Sequence, residues 1–234
     1  MLSVAQALLE TDDIARLAEA WEGKAPQEIL GEAVRRIGDL VFACSFGPED
    51  MAILDMLAGI RPGLPIFYLD TDVLFAETYE LRDRAVGRYR PNLIRVRPEV
   101  TLAQQAERFG AELWKSHPDL CCDLRKVRPL AGFLAGRGGW ITGVRRDQAP
   151  TRAHARVFEW DGKFGLVKVN PLAAWTQDEV WSYIRERGVP YNPLHDRGYP
   201  SIGCLHCTRP VAPGEDPRSG RWAGRGKTEC GLHK

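Results

Sequence analysis

The sequence predicts an α/β fold in which helices flank a mostly parallel sheet. Between about residues 39 and 144, short apolar and β-branched segments alternate with longer segments that carry apolar residues at helical spacing. Such alternation is typical of parallel sheets, because a helix returns the chain to the start of the next strand. The 234 residues are 44% hydrophobic and 27% charged, which suits one large globular domain.

The predicted elements follow one another in a regular order. Two helices come first, at about 2–21 and 26–37. The predicted strands are DLVFACS (39–45), LPIFYLD (64–70), NLIRVR (92–97) and GWITGV (139–144). The predicted helices between these strands are GPEDMAILDMLAG, FAETYELRDRAVGRY, TLAQQAERFG and DLRKVRPLAGFLA. Ligands of such sheets bind beyond the carboxyl ends of the strands, so we expect one cleft among SFGPED, LDTD and TGVRRDQ.

The sequence pattern changes in the last third of the chain. VFEWDGKFGLVKVNPL predicts a hairpin that turns at Asp161-Gly162, and TQDEVWSYIRERG predicts a helix between an N-cap at Thr176 and Gly188. Beyond about residue 190 the chain is rich in Gly and Pro, which predicts an irregular tail held by something other than a core. Within one structural domain, we therefore expect N-terminal helices (1–38), an α/β body (39–190) and a tail (191–234).

Composition argues against several kinds of partner. The formal net charge of +1 gives no bulk attraction to nucleic acid. No apolar run reaches the roughly 18 residues that a membrane span needs, and the N-terminus lacks the basic region of a signal peptide. The sequence predicts a cytoplasmic protein that binds neither nucleic acid nor membrane.

Four of the six cysteines form two pairs, Cys121 with Cys122 in CCDLRK and Cys204 with Cys207 in CLHC. Clustered cysteines inside a cell more often bind metal or do chemistry than form disulfides. Four thiolates can fill a tetrahedral zinc site or hold an iron–sulfur cluster, although adjacent side chains diverge and suit a single ion poorly. The alternative is a set of reduced structural or redox thiols. Cys44, in a predicted core strand, is expected to be a small buried hydrophobe.

Cys230 is the fifth residue from the end of the chain, in the segment GRGKTECGLHK. From residue 208 on, the tail carries six Lys or Arg against three Asp or Glu. Cationic neighbours lower the pKa of a thiol and suit an anionic substrate, and the glycines would let the segment move as a lid. The alternative is a disordered end with a stray thiol.

Two loops are candidates for binding an anion. In SFGPED, Ser45 and Gly47 can offer backbone N–H groups at a helix N-terminus, or they form an ordinary strand-to-helix turn. The chain lacks the GxxxxGK[ST] pattern of a Walker A loop. In TGVRRDQAPTRA, Arg145, Arg146 and Arg152 can clamp phosphate or sulfate, the alternative being a solvated charge run.

From about residue 39 to its end, the chain resembles the assimilatory adenylyl-sulfate (APS) reductases, a branch of the phosphoadenylyl-sulfate (PAPS) reductase family. The resemblance lies in SFGPED, LDTD, CCDLRK, GVRRDQAPTRA, KVNPLAAWTQDEVWSYI, PYNPLHDRGYPSIGCLHCTRP and ECGLH. It implies an adenine-nucleotide α-hydrolase-like fold whose modified PP-loop, SFGPED, stands where ATP-using relatives carry SGGxDS. Phe46 and Pro48 are consistent with binding a monophosphate-level nucleotide rather than cleaving ATP. LDTD departs from the commoner LDTG at Asp72.

The resemblance also implies a site and a reaction. Cys121, Cys122, Cys204 and Cys207 would bind a [4Fe-4S] cluster that passes no electrons, with Lys126 between cluster and substrate. Cys230 would attack APS as a thiolate and expel AMP, and reduced thioredoxin would release sulfite from the resulting S-sulfocysteine. Relatives often form homo-oligomers. The remaining expected substrate-binding residues are Ser45, Gly47, Leu69, Asp70, Gly143, Arg145, Arg152, Arg218, Arg221 and His233.

Three other functions stay open from the sequence. A PAPS reductase or an enzyme that takes both substrates is one, although PAPS reductases lack the cluster ligands. A PP-loop ATP pyrophosphatase is another, but it should carry an intact SGGxDS loop. A non-enzymatic zinc or cluster-binding module for nucleic acid is the third, and the near-neutral charge disfavours it.

Overall fold

The structure is a computed structural model that describes residues 10–224, 227 and 229–232. Within these residues, one six-stranded sheet has the strand order β3-β2-β1-β4-β6-β5. The strands are β1 Leu40–Ala43, β2 Pro65–Leu69, β3 Asn92–Val96, β4 Gly139–Ile141, β5 Phe158–Asp161 and β6 Leu166–Val169. Every neighbouring pair is parallel except β5 and β6, so the predicted α/β class with a mostly parallel sheet is confirmed.

Helices connect the strands and cover both faces of the sheet. The α-helices of the described chain are α1 Thr11–Trp21, α2 Pro26–Arg36, α3 Pro48–Ile60, α4 Ala76–Tyr89, α5 Leu102–Phe109, α6 Leu113–Ser116, α7 Pro118–Cys122, α8 Arg128–Leu134 and α9 Gln177–Arg187. A π-helix, Asp123–Val127, joins α7 to α8. The first predicted helix begins at about residue 2, and residues 1–9 lie outside the described part of the chain.

The period-two pattern of the central strands divides the core into two apolar clusters. In β1, Leu40 and Phe42 pack in the larger cluster with residues of α1, α2, α3 and α9. Val41 packs in the smaller cluster with Leu130 and Leu134 of α8. Successive side chains of a strand point to opposite faces, so both faces of the sheet are buried, as parallel sheets require.

The strand order changes direction between β1 and β4, which are adjacent although two strands separate them in sequence. A cleft forms beyond the carboxyl ends of the strands at such a switch point, because the connecting segments leave in opposite directions. The loop after β1 and the loop after β4 begin on either side of it. The fold thus places SFGPED and TGVRRDQ beside one another.

Two sequence predictions for the region after β4 have different outcomes. Thr176 caps α9, since its hydroxyl accepts the Glu179 N–H, and Gly188 ends the helix with a φ of +58°. The hairpin forms, but its connection is a four-residue loop, 162–165, and not a tight turn at Asp161-Gly162. The Gly165 N–H closes this loop by donating to the Asp161 carbonyl at 2.7 Å.

The tail is irregular, as predicted, but apolar side chains help to hold it. Its described part contains two short 3₁₀ helices, Pro193–Arg197 and Leu205–Cys207, and isolated bridges pair Cys204 with Leu74 and Thr208 with Arg221. Leu194 and Trp222 are buried. The expectation that something other than a core holds the tail is therefore wrong in part. In the residues that the structure covers, no helix is both long and apolar enough to span a membrane.

Candidate active site

A cavity of about 540 Å³ opens at the carboxyl edge of the sheet, at the switch point between β1 and β4. This volume is in the range of small-ligand and cofactor sites. The predicted site residues that line it are Ser45, Gly47, Leu69, Lys126, Gly143, Arg145, Arg152, Arg218, Arg221 and Cys230. The loops after three strands and the tail thus meet at one place. His233, also predicted for this site, lies outside the described residues.

In the loop after β1, nearby side chains accept hydrogen bonds from the backbone N–H groups. The Ser45 N–H and hydroxyl donate to one carboxylate oxygen of Asp50, at 2.6 and 2.5 Å, and the Gly47 N–H donates to the Ser45 hydroxyl at 3.3 Å. The prediction that these two N–H groups are open to an anion is therefore wrong for this structure. Burial raises the pKa of Asp50 to about 6, although the hydrogen bonds from Ser45 oppose this.

Phe46, in the same loop, has an unusual backbone conformation. Its φ is +61°, a left-handed conformation that bulky residues rarely adopt. The side chain is buried and makes an edge-to-face contact with Tyr68 at 5.5 Å. Packing of the ring therefore holds a strained backbone in the lining of the cavity, and backbone strain of this kind is frequent in functional sites.

The loop after β4 approaches the loop after β1 very closely. A Cβ atom on Gly143 would lie 2.2 Å from a carboxylate oxygen of Asp50, so only glycine fits. Arg145 is buried, and its guanidinium binds Glu49 at 2.9 Å and also Asp147. The arginine therefore contributes less net positive charge to the cavity than the sequence suggests.

In the loop after β2, the predicted role of Asp70 is wrong, and the backbone conformation of Asp72 is compatible with the change from LDTG to LDTD. Asp70 is fully buried, and its carboxylate accepts hydrogen bonds from Tyr79, Arg95 and the Asp72 N–H. Of the predicted pair, Leu69 lines the cavity and Asp70 does not, because these three donors hold the Asp70 carboxylate behind the loop. Asp72 has a φ of +58°, where the commoner glycine of LDTG is favoured, and Asp is tolerated.

A second, smaller cavity brings together the two cysteine pairs. Its lining includes Cys121, Cys122, Cys204 and Cys207. Trp114 and His206 also line this cavity, and their rings stack with centroids 4.1 Å apart. The first pair ends α7 where the π-helix begins, and π-helical turns are frequent at functional sites.

The thiols of this cavity are close enough to influence one another. Burial raises the pKa of Cys121, and Cys122, Cys204 and Cys207 raise it further. Among the described residues, no three His, Cys, Asp or Glu side chains converge on a preformed site for one metal ion. Consecutive residues of a helix point about 100° apart, so Cys121 and Cys122 cannot face the same point.

Lys126 and Arg221 line both cavities. Burial lowers the pKa of Lys126, but the neighbouring Cys204 and Cys230 raise it more strongly, so the pKa of this lysine is raised. The Arg221 guanidinium donates to the Ser201 hydroxyl and the Ile202 carbonyl, and its Nε is a buried nitrogen without an acceptor among the described groups. Two cations thus stand between the four thiols and the larger cavity.

Cys230 faces the larger cavity from the tail. Burial raises the pKa of its thiol, but Lys126, the Leu232 N–H and Arg221 lower it, and the net direction is downward. The tail is held beside it, because Lys163 donates to the Gly231 carbonyl at 2.5 Å and Leu232 packs against the smaller apolar cluster. The surroundings of Cys230 therefore favour the thiolate form, with Lys126 and Arg221 as the nearby cations.

Sequence reasoning missed three residues that shape the site, namely Asp50, Arg125 and Glu229. Asp50 is part of SFGPED, a motif whose pattern indicates only backbone N–H groups at a helix N-terminus. Arg125 lay beside Lys126 and is almost fully buried. Glu229 precedes Cys230 and is also buried. An acidic residue next to the candidate nucleophile in a basic tail was a usable signal for Glu229. The burial of Asp50 and Arg125 could be recognised only from the fold.

The sheet order and the cavity at its switch point define the chain as a PP-loop-type α/β protein. A solved FMN adenylyltransferase from Candida glabrata shares the fold, with a TM-score of 0.57 and 20% identity over 88% of this chain and 67% of that chain. The model of the phosphoadenosine phosphosulfate reductase domain matches residues 39–210. The chain belongs to this family.

Relatives in this family are close in sequence and differ in name. A phosphoadenosine 5'-phosphosulfate reductase of Gloeobacter violaceus is 51% identical, over 96% of this chain and 95% of the relative. An adenosine 5'-phosphosulfate reductase of Salinibacter ruber is 50% identical, over 94% of this chain and 88% of the relative. The crystal structure of a PAPS reductase from Candida auris, a phosphate complex, has a TM-score of 0.78 and 33% identity over 87% of this chain and all of that chain.

Proposed function

We propose that this protein reduces adenylyl sulfate to sulfite and AMP in sulfate assimilation, through an S-sulfocysteine on Cys230 and with thioredoxin as the reductant. One observation carries the proposal. Cys230 lines a nucleotide-sized cavity with Lys126 and Arg221, and these two cations also line the cavity of the four thiols. The adenosine 5'-phosphosulfate reductases among the relatives support this choice of substrate.

The first step is a displacement at sulfur. The Cys230 thiolate attacks the sulfuryl sulfur of APS, and the bond between that sulfur and the bridging oxygen breaks. The electron pair of this bond stays on the phosphate oxygen, so AMP leaves and the enzyme carries S-sulfocysteine. The nearby Lys126 and Arg221 favour this step, because they keep the thiol ionised and attract the sulfuryl group.

The second step moves two electrons from an external dithiol. A thiolate of reduced thioredoxin attacks the Cys230 sulfur, sulfite leaves with the electron pair, and a mixed disulfide forms. The second thiol of thioredoxin resolves this disulfide and regenerates Cys230. Sulfur is reduced from the level of sulfate to that of sulfite, and the dithiol is oxidised to a disulfide.

The arginines of the cavity supply the remaining recognition. Arg218 and Arg221 come from the tail, and Arg152 comes from the loop after β4. We assign Arg218 and Arg221 to the sulfate and phosphate charges, with Lys126 and His233 from the family resemblance. Arginine suits these anions because its planar donors can bind two oxygens at once. We assign the nucleotide side of the cavity to Ser45, Gly47, Leu69, Gly143, Arg145 and Arg152.

The four cysteines fit an iron–sulfur cluster by their chemistry. They are soft sulfur donors from two segments that line one cavity, and a multi-iron cluster gives each thiolate its own iron, which suits diverging side chains. We propose that Cys121, Cys122, Cys204 and Cys207 hold a [4Fe-4S] cluster. When bound, the cluster would join the tail to the body and place charge beside Lys126. The cytoplasmic location and a homo-oligomer stay predictions.

PAPS is the second candidate substrate, because the relative from Gloeobacter violaceus is named for it. The test is anaerobic assay of sulfite release, with reduced thioredoxin and either APS or PAPS. We expect kcat/KM for APS to exceed that for PAPS by at least about a hundredfold. The reverse ratio would move the assignment to PAPS. Release of sulfite by the Cys230→Ser variant would overturn the covalent mechanism.

A further inference from the structure

The residue before the nucleophile, Glu229, is a buried carboxylate at the edge of the cavity, with only 4% of its surface exposed. Its Oε2 lies 3.1 Å from Nη2 of Arg152 and 3.1 Å from Nη2 of Arg218. Its Oε1 accepts from the Thr151 hydroxyl at 3.3 Å and from Arg152 Nε at 3.2 Å. Both carboxylate oxygens are therefore bound by side chains from the body and from an earlier part of the tail.

These ion pairs attach the terminal segment to the rest of the protein at the residue directly before Cys230. Burial raises the pKa of Glu229, but Arg152 and Arg218 lower it more strongly, so the group is ionised in the folded protein. Removing one partner of such a buried pair is strongly unfavourable, since the other charge is left without compensation. The ends of the segment have other contacts, from Lys227 to Asp119 and from Lys163 to the Gly231 carbonyl.

We propose that Glu229 is a positioning residue that fixes the Cys230 thiol inside the cavity by anchoring the tail to Arg152 and Arg218. This inference rests on the proposed function of Cys230 as the nucleophile. Glu229 does not touch the reacting atoms in this account. It acts through the backbone, because the adjacent residue cannot leave the cavity while both carboxylate oxygens are bound.

The anchor also sets the balance between the two steps. The first step needs Cys230 in the cavity beside Lys126, whereas the second needs an external dithiol to reach the same sulfur. The two arginines that hold Glu229 also line the substrate cavity, so the anchored tail keeps Cys230 beside the cations that would bind the anion. Loss of the anchor should slow the first step and speed access to the thiol.

The first test is the alkylation rate of Cys230 by iodoacetamide, followed by peptide mapping of anaerobically purified protein without substrate. The variant is Glu229→Gln, and the control is Glu215→Gln, which removes the same charge from an exposed site in the tail. Because Glu229 raises the pKa of Cys230, rates are compared on the plateau at high pH, where the thiol is fully ionised. We expect Glu229→Gln to raise the plateau rate about tenfold, and Glu215→Gln to leave it unchanged.

A second variant and a second readout complete the test. Arg152→Gln breaks the same contact from the body, and it should raise the plateau rate in the same direction. In single turnover with APS, Glu229→Gln should form S-sulfocysteine about tenfold more slowly, and dithiothreitol should discharge the preformed product faster. An unchanged plateau rate in both variants would contradict the proposal that Glu229 anchors the tail. If the wild-type protein gains no sulfo group from APS, the proposed function fails, while the alkylation rates still decide the role of Glu229.

Discussion

Arg125 donates from Nη2 to Asp72 Oδ2 at 2.5 Å, which joins the π-helix after the first cysteine pair to the loop after β2. The same guanidinium donates from Nε to the Thr71 carbonyl at 2.6 Å. Thr71 in turn places its hydroxyl 3.3 Å from the sulfur of Cys204, so these contacts link the π-helix to the second cysteine pair. Asp72 of LDTD therefore has a structural role, since a glycine at this position would leave the buried guanidinium of Arg125 without this carboxylate partner.

We expect Arg125→Met to lower the free energy of unfolding by about 3 kcal/mol, because it removes a buried ion pair and several hydrogen bonds. The matched control is Arg128→Met, which removes an exposed pair with Asp123 and should cost less than about 1 kcal/mol. Anaerobic urea unfolding measures both. Equal losses in the two variants would show that the contact with Asp72 does not hold the segment.

The raised pKa of Asp50 predicts a pH dependence of stability. With a folded pKa of about 6 against an ordinary 3.8, the folded state binds more protons than the unfolded state between these values. The stabilisation by this group is complete below the ordinary pKa and is lost as the pH rises through 6. Between pH 5 and pH 8, the wild-type protein should lose about 1 kcal/mol more stability than Asp50→Asn. Parallel curves for the two proteins would contradict the assignment.

The close approach of the loops after β1 and β4 predicts a strong effect of one methyl group. Gly143→Ala would place Cβ 2.2 Å from Asp50 and 3.0 Å from the Cβ of Glu49. We expect the loops to separate and the affinity for AMP, measured by calorimetry, to fall at least about tenfold. Gly132→Ala is the control, since a Cβ there meets no atom within 4 Å and α8 favours alanine. Unchanged AMP binding in Gly143→Ala would argue that the nucleotide lies elsewhere.

If the four proposed cysteines bind the cluster, replacing one of them should remove iron, whereas replacing another cysteine should not. Cys204→Ser should lose most of its iron and the visible absorption of the anaerobically purified protein, because a hydroxyl replaces a thiolate ligand. Cys44→Ala should keep both, since Cys44 is buried in the core away from the four-thiol cavity. Iron and sulfide analysis distinguishes the two. Full iron content in Cys204→Ser would remove this residue from the ligand set.

The fold was predictable because local patterns determine it. Leu40, Val41 and Phe42 alternate between two buried faces, and Thr176 and Gly188 mark the ends of α9 by their own chemistry. The meeting of SFGPED with TGVRRDQ follows from where parallel strands end. The four-residue loop of the hairpin was not predictable from Asp161-Gly162, because the following residues also accept turn conformations.

The site was predictable for residues in motifs and not for those that depend on burial. The spacing of the cysteines pointed to one site, and the structure places all four around one cavity. The Ser45 N–H looked available because nothing in SFGPED shows that Asp50 folds back onto it. Likewise, only the tertiary arrangement shows that Asp70 turns toward Arg95 and that Glu229 binds two arginines. Long-range ion pairs leave no local pattern in a sequence.

The central claim is that Cys230 accepts the sulfo group of APS. The measurement that tests it most directly is the intact mass of anaerobically purified protein after mixing with APS and without thioredoxin, followed by peptide mapping. We expect a gain of one SO₃ group on the peptide that contains Cys230, and loss of that group when reduced thioredoxin is added. No gain with APS, or a gain on another cysteine, would contradict it.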